Sequence, residues 1–431
     1  MTRPAAGTPA MTRLANRDSG TRVLAWGALP PPVHGSAVVN DMVREVIDRV
    51  GDGHWVNAAT GDLSEIGRVK VRKLWATLGR LADYVVQAVR WAPGYTAYVS
   101  IAISGPTGVP AAALYRDLLI WTIAALTSRR IVIHVQAADL SGLRPRGPLA
   151  PLWRWLLRRS EFWVLGSMLV APLRELGAVD IHVLQNGVTC ESRYHGEGRQ
   201  GAHAARQAAR AAAPEAARHA GRHAARAAAP EAALADSGEP SSSTDGADVR
   251  VVFLSHHFRF KGVDVVAELA DMLEDEPFAW AFAGSAVDPD IEALLKPLER
   301  LGGRYRRIEA VDADVRCRLL HRSDVFVLPS RNEGVPLVLL EAMEHGVIPI
   351  VSPRGCMPEV VDDVGAVCET LEDYAEALRL LATDRGELAK RSEDTLVRWR
   401  ERYSRAAFER RVAELLSGAA GAEAREDGAR A

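Results

Sequence analysis

Short runs of β-branched and aromatic residues alternate along this chain with longer stretches in which apolar side chains recur every three or four positions. That alternation predicts parallel sheets built from βαβ units. In the first half the strand runs are residues 22–27, 97–103, 130–135, 161–165 and 181–184. In the second half they are 250–255, 279–283, 305–308, 324–328, 347–351 and 366–368. Open α/β sheets bind ligands at the carboxyl ends of their strands, so the loops after these runs are where chemistry is expected. One more amphipathic helix follows Arg400, with Tyr403, Ala407, Phe408, Val412, Leu415 and Leu416 on its apolar side. The longest apolar run, 118–127, is too short to span a bilayer.

The pattern lapses in three places. Residues 1–20 are polar, lack the apolar core of a signal peptide and read as a disordered extension. Residues 196–247 turn to Ala, Arg, His, Glu and Ser, and the string A-A-R-A-A-A-P-E-A-A occurs at 208–217 and again at 224–233. Pro214, Pro230 and the missing apolar face mark this stretch as a disordered low-complexity insertion, and His203, His219 and His223 lack metal-ligand spacing. The organisation expected is a first domain at 21–195, the insertion, a second domain at 248–400, a helix at 401–417 and a flexible tail at 418–431.

Composition narrows the class. A chain of 431 residues with 48% hydrophobic and 25% charged residues suits two soluble globular domains. A net charge of −2 gives no reason to expect nucleic acid as a partner. Cys190, Cys317, Cys356 and Cys368 form no C-x-x-C pair, which points to reduced thiols in the cytoplasm. Trp153, Trp155 and Phe162 lie among Arg154, Arg158 and Arg159. That mixture suits tryptophans packed in a core, and it also suits peripheral contact with an anionic membrane at the inner face of the cell.

Most of the chemistry is concentrated at 330–351, S-R-N-E-G-V-P-L-V-L-L-E-A-M-E-H-G-V-I-P-I-V. Glu333 and Glu341 are separated by seven residues, with Gly334-Val335-Pro336 and a Leu-rich run between them. Pro336 suits the first turn of a helix. Glu333 then sits on the loop before it and Glu341 within it, and the free N–H groups of Val335, Leu337 and Val338 form an anion site. Two acids around such a helix start can hold the sugar and the ribose of a sugar nucleotide.

With its flanks, D-V-F-V-L-P-S before and G-V-I-P-I-V, Gly355 and P-E-V-V after, the stretch resembles the E-x7-E signature of family 4 retaining glycosyltransferases. The resemblance implies α/β GT-B architecture, two Rossmann-like domains with parallel sheets facing a cleft, the nucleotide-sugar donor mainly against the second domain, and a final helix, 401–417, that crosses back to the first domain. It implies hexosyl transfer to a saccharide or lipid-linked acceptor, in cell-surface polysaccharide or glycolipid biosynthesis, without a bound metal or other cofactor. The pairs Asp312/Asp314 and Asp362/Asp363 show no metal-ligand context.

Further residues follow from the same resemblance. Lys261, before Gly262, matches a lysine that meets the donor diphosphate, while His256 stands where the family usually has arginine. Imidazole is a weaker phosphate partner than a guanidinium fork, so either His256 protonates on binding or Arg259 supplies the second cation. Gly284 fits a position of close nucleotide approach, or a plain strand-ending turn, and Arg331 faces the cleft or the surface. The loop W-G-A-L-P-P-P-V-H-G-S resembles the family's N-terminal cleft loop, offering His34, Gly35 and Ser36 ahead of a helix. His134 ends a strand where family members carry a histidine near the transferred sugar. Asn186-Gly187-Val188 is explained by turn chemistry alone. Two alternatives remain, a non-catalytic GT-B scaffold that binds sugar nucleotide and a sugar-nucleotide epimerase.

Overall fold

The structure, a computed structural model, describes residues 21–31, 35–58, 69–101, 111–144, 147–189, 248–286, 290–309 and 311–418. The N-terminal extension, the 196–247 insertion, His34, Cys190 and the tail after 418 lie outside these residues.

The first sheet contains β1 (Thr21–Gly27), β2 (Gly51–Asn57), β3 (Thr96–Ile101), β4 (Arg130–Val135), β5 (Glu161–Val164) and β6 (Asp180–Val183). Its order is β2-β1-β3-β4-β5-β6, parallel throughout. Side chains alternate between faces. Leu24, Trp26 and Ile133 pack with α2 (Val69–Trp91), α3 (Ala111–Thr127) and α4 (Ala150–Arg159). Val23, Ala25 and Val132 pack with α1 (Gly35–Val50). Strand β2 was not expected, because G-D-G-H-W-V-N carries two glycines and buries only Val56 deeply. Backbone pairing with β1 makes it a strand, an edge role that needs little apolar content. The basic aromatic segment divides: Trp153 and Phe162 pack edge-on against Trp121 in the core, while Trp155 stays exposed.

The second sheet contains β7 (Val249–Leu254), β8 (Phe278–Ala283), β9 (Tyr305–Ile308), β10 (Val325–Leu328), β11 (Ile348–Val351) and β12 (Ala366–Val367), in the order β12-β11-β10-β7-β8-β9. All six lie within a residue of the runs the pattern predicts. Each sheet therefore has one place where consecutive connections depart in opposite directions, between β1 and β3 and between β7 and β10. Such switch points leave a crevice beyond the strand ends.

After a π-helical turn, Trp399–Tyr403, the chain returns to the first domain as α13 (Arg405–Ser417). Phe408, Val412, Leu415 and Leu416 join the cluster that α1 makes with the first sheet. Arg130, at the start of β4, pairs with Glu161 at 2.7 Å and donates to the carbonyls of Leu415 and Leu416 at 2.6 and 2.8 Å. The guanidinium thus satisfies carbonyls that the helix end leaves free and complements its negative pole. No helix among the described residues is long and apolar enough to cross a membrane.

Candidate active site

The start of α1 and the loops after β7 and β10, at the two switch points, build the site. After β7 the chain makes a single turn, Arg259–Lys261, and reverses at Gly262 into α6 (Val263–Met272). Gly262 has φ +83°, and a Cβ there would lie 2.4 Å from the carbonyl oxygen of Pro329, so glycine is required on both counts. The Phe260 carbonyl accepts from Arg331 N at 2.8 Å and Ser330 Oγ at 3.2 Å, joining this turn to the loop after β10. The result is direct contact between the two residues singled out by sequence: Lys261 Nζ is ion-paired with Glu333 Oε1, both largely shielded from solvent.

Glu333 is held from its other side by Gly355, whose φ of +57° and near-zero clearance bring it under the Glu333 carbonyl. Cys356 N donates to the Gly334 carbonyl at 3.1 Å. Helix α9 (Leu337–Glu344) starts immediately beyond, with Pro336 as its N-cap rather than within the first turn. Its leading N–H groups, those of Leu337 and Val338, are the ones a helix leaves without internal partners. Across the cleft, a Cβ on Gly35, the first residue of α1, would lie 4.0 Å from the side chain of Leu337. Two helix N-termini, one per domain, thus converge beside the Lys261–Glu333 pair and concentrate positive potential there.

Glu341 lies further along α9 and is buried. Burial pushes its carboxyl up to about 7, although Arg316 of α8 (Ala313–Arg322), with Nε 3.0 Å away, opposes the shift. Sequence reading had not singled out Arg316. It had also left out Asn186, which spans the domains by donating to the Val335 carbonyl at 3.3 Å. Glu359 of α10 (Met357–Val361) crosses in the other direction, accepting from Ser167 N at 2.7 Å, Ser167 Oγ at 2.9 Å and Gln185 Nε2 at 3.1 Å. Gly334 itself packs against Leu165 of the first domain.

Other expected residues are placed differently. His134 is fully buried between Tyr98 and Trp163, its Nδ1 2.6 Å from the Tyr98 hydroxyl. Strand alternation puts it on the α1 face with Val132, and burial holds its pKa down at about 3. It is a neutral, buried residue whose Nε2 has no hydrogen-bond partner among the described residues. Two residues on, Gln136 donates to Asn40 Oδ1 at 2.7 Å and Ser100 Oγ at 3.1 Å, and its carbonyl lies 3.8 Å from where a Gly334 Cβ would be. That residue belongs to the cleft, and only the end of β4 marks it in the sequence.

His256 is exposed and leans edge-on against Phe258. Arg259 is ion-paired with Asp290 and lies 3.8 Å from Asp264, so acids already engage the alternative cation. Arg331 pairs with Asp264 at 2.8 Å and serves the surface. Gly284 meets the Ser255 carbonyl, which favours the strand-ending turn. Ser36 follows Gly35 in the first turn of α1. Asp312 caps α8, and Asp362 and Asp363 both face Arg398.

Comparisons with known proteins bear on the second domain and on the fold. Residues 248–384 match the family model described as Glycosyl transferases group 1. A glycogen synthase of Halorhodospira halophila is 29% identical over 168 residues, 39% of this chain and 34% of its own. An N,N'-diacetylbacillosaminyl-diphospho-undecaprenol alpha-1,3-N-acetylgalactosaminyltransferase of Campylobacter jejuni is 30% identical over 142 residues, 31% of this chain and 35% of its own. The matched segment thus spans about a third of the length of these relatives. Among solved structures, sucrose-phosphate synthase from Thermosynechococcus elongatus superposes with a TM-score of 0.60 at 14% identity, covering 93% of this chain and all of that one. HepE of Anabaena, in complex with UDP and glucose, gives 0.58 at 15% identity over 92% of this chain and 100% of its own. The fold is GT-B.

Proposed function

We propose that this chain is a retaining glycosyltransferase that moves a hexose from a nucleoside-diphosphate sugar to a saccharide or lipid-linked acceptor, in cell-surface polysaccharide or glycolipid assembly. The observation that carries this reading is the Lys261–Glu333 pair, set where the starts of α9 and α1 meet. One cation and two helix N-termini suit a diphosphate, and a carboxylate within reach suits sugar hydroxyls. When donor binds, the Lys261 ammonium shifts to phosphate oxygen and releases Glu333 to the sugar. Glu341 accepts from the ribose. The neighbouring structure containing UDP and glucose supports a nucleotide sugar as donor, and the lipid-linked substrate in the Campylobacter relative's name supports that acceptor class.

In the reaction the bond from the anomeric carbon to phosphate oxygen breaks and a bond to the acceptor oxygen forms. The leaving phosphate takes the acceptor's proton. Lys261 and the N–H groups of Leu337 and Val338 absorb the charge that develops on the diphosphate. Glu333 is committed to the sugar hydroxyls, so the acceptor enters on the face the diphosphate leaves, and the product keeps the donor's configuration. NMR of the first-formed linkage tests this: an inverted anomer overturns it, and a sugar trapped on Glu333 replaces it with a covalent route. A nucleotide-sugar panel read by thermal shift identifies the donor, since ligand at 100 times Kd stabilises by roughly 2.7 kcal/mol.

The engagement of Arg259 by Asp290, with His256 in the family's arginine position, favours a second reading, a binder without turnover. Saturable binding with neither transfer nor hydrolysis across an acceptor panel would select it.

A further inference from the structure

Helices α2, α3 and α4 lie side by side on one face of the first sheet, and the side each turns away from that sheet is unusually apolar. On α3 the buried positions Trp121, Ala124 and Ala125 lie opposite Tyr115 and Leu126, which are 61% and 73% exposed. On α2, Tyr84 and Ala88 are buried while Val86 and Val89 are 60% and 65% exposed. On α4, Trp155 projects between the exposed Arg154 and Arg158. Large apolar side chains exposed on three neighbouring helices of an outer layer mark an interaction site.

The charge on the same layer is mostly positive. Among the side chains described, two cations on α2, one on α3 and three on α4 stand against two acids, in a chain whose totals are nearly balanced, 53 basic to 55 acidic. Of these acids, Asp117 is paired with Arg116 at 2.7 Å, and Asp83 lies within hydrogen-bond reach of His54 Nε2 at 3.2 Å. Arg90, Arg154 and Arg158 make no side-chain hydrogen bond or ion pair among the described residues.

We infer that this helix layer docks on the surface of an anionic lipid bilayer. Tryptophan and tyrosine with apolar bodies and polar tips, aliphatic side chains between them and unpaired arginines around them match the headgroup–acyl boundary. The excess of positive charge is drawn to acidic headgroups. It also disfavours a second copy, because a two-fold contact would set like charges face to face. In a parallel α/β layer the helices run opposite to the strands, so their N-termini lie on the cleft side of the domain. Docking on this layer therefore leaves the cleft open beside the membrane. The inference rests on this surface and not on the activity proposed for the cleft.

The test uses the full chain and vesicles of phosphatidylcholine, with and without phosphatidylglycerol, in co-sedimentation without donor or acceptor. Binding should require phosphatidylglycerol and weaken in high salt. The double variant R154Q/R158Q should bind roughly 30-fold more weakly, at about 1 kcal/mol per cation. Trp155→Ser with Leu126→Ser should also lose binding, while both variants keep wild-type circular dichroism and thermal midpoint. Failure to bind either vesicle, or equal binding to both, overturns the inference. So does a dimer in sedimentation velocity that the Trp155/Leu126 variant dissociates, since that would assign the face to a second copy. A donor screen that finds no ligand leaves this result untouched and counts against the cleft reading alone.

Discussion

Lys261 and Glu333 are 72 positions apart in the chain and in contact in the fold. Each was recognisable from its local string, but their pairing depends on the Phe260 carbonyl that draws the two loops together. Lys261→Ala should lower kcat on the order of 10²–10³-fold, the loss expected for one preorganised donor at a developing charge. Steady-state kinetics check this, and an unchanged kcat removes the lysine from the mechanism. Glu341 makes a prediction about pH. Its carboxyl sits at about 7 in the fold, above the ordinary carboxylate range, so the ligand-free protein holds a proton there that the unfolded chain releases. Stability from this residue is therefore present at low pH and lost as pH rises toward 7. Ribose binding runs the other way, since the ionised carboxylate is the better acceptor. Donor affinity should climb by up to about tenfold per unit below pH 7 and level off above it. Calorimetric titration between acid and alkaline buffers reads the slope. Glu341→Gln should flatten it, and a slope that survives points to another group.

At the scale of elements, α13 decides the most. It belongs by sequence to the end of the second domain and by packing to the core of the first. Phe408 is 1% exposed, and a Cβ on Gly187 would strike it at 2.4 Å, so the site cannot collapse around a smaller residue without moving backbone. Phe408→Ala should cost about 3–5 kcal/mol. Chemical denaturation measures it, and hydrogen exchange should show the loss in β1, β4 and α1 rather than in the second sheet. The amphipathic spacing from Tyr403 to Leu416 predicted this helix from sequence. Which domain it covers was not in the spacing, because a 3.6-residue period says that one face is buried and nothing about what buries it. Strand β2 illustrates the converse, being held by backbone pairing that its side chains do not announce.

For the whole molecule, the cleft depends on how the two sheets are set against each other. Glu359 reaches across with three accepted hydrogen bonds, and Asn186 returns one to the donor loop. Glu359→Ala should leave each domain folded but loosen their setting. One charge-assisted bond is worth about 1.5–3 kcal/mol, so kcat/KM should fall roughly tenfold or more. Small-angle scattering should show a larger radius of gyration. A variant that keeps wild-type scattering and kinetics would show that other contacts set the cleft.

What could be read from the chain alone was whatever has a local cause. Short β-branched and apolar runs located eleven of the twelve strands among the described residues. The string from Ser330 to Val351 located a helix start with an acid on either side of it, because caps, proline and the helix period act within a few residues. Tertiary structure decided the rest. It buried His134 within β4 and left Gln136, just past the strand's end at Val135, at the cleft, since that end is not marked sharply in sequence. It engaged Arg259 and Arg331 with Asp264 and Asp290, closed Lys261 on Glu333 and gave Glu341 its raised pKa. Each of these depends on burial or on a partner from a distant segment. Desolvation and charge pairing act through space, and local sequence does not contain that distance.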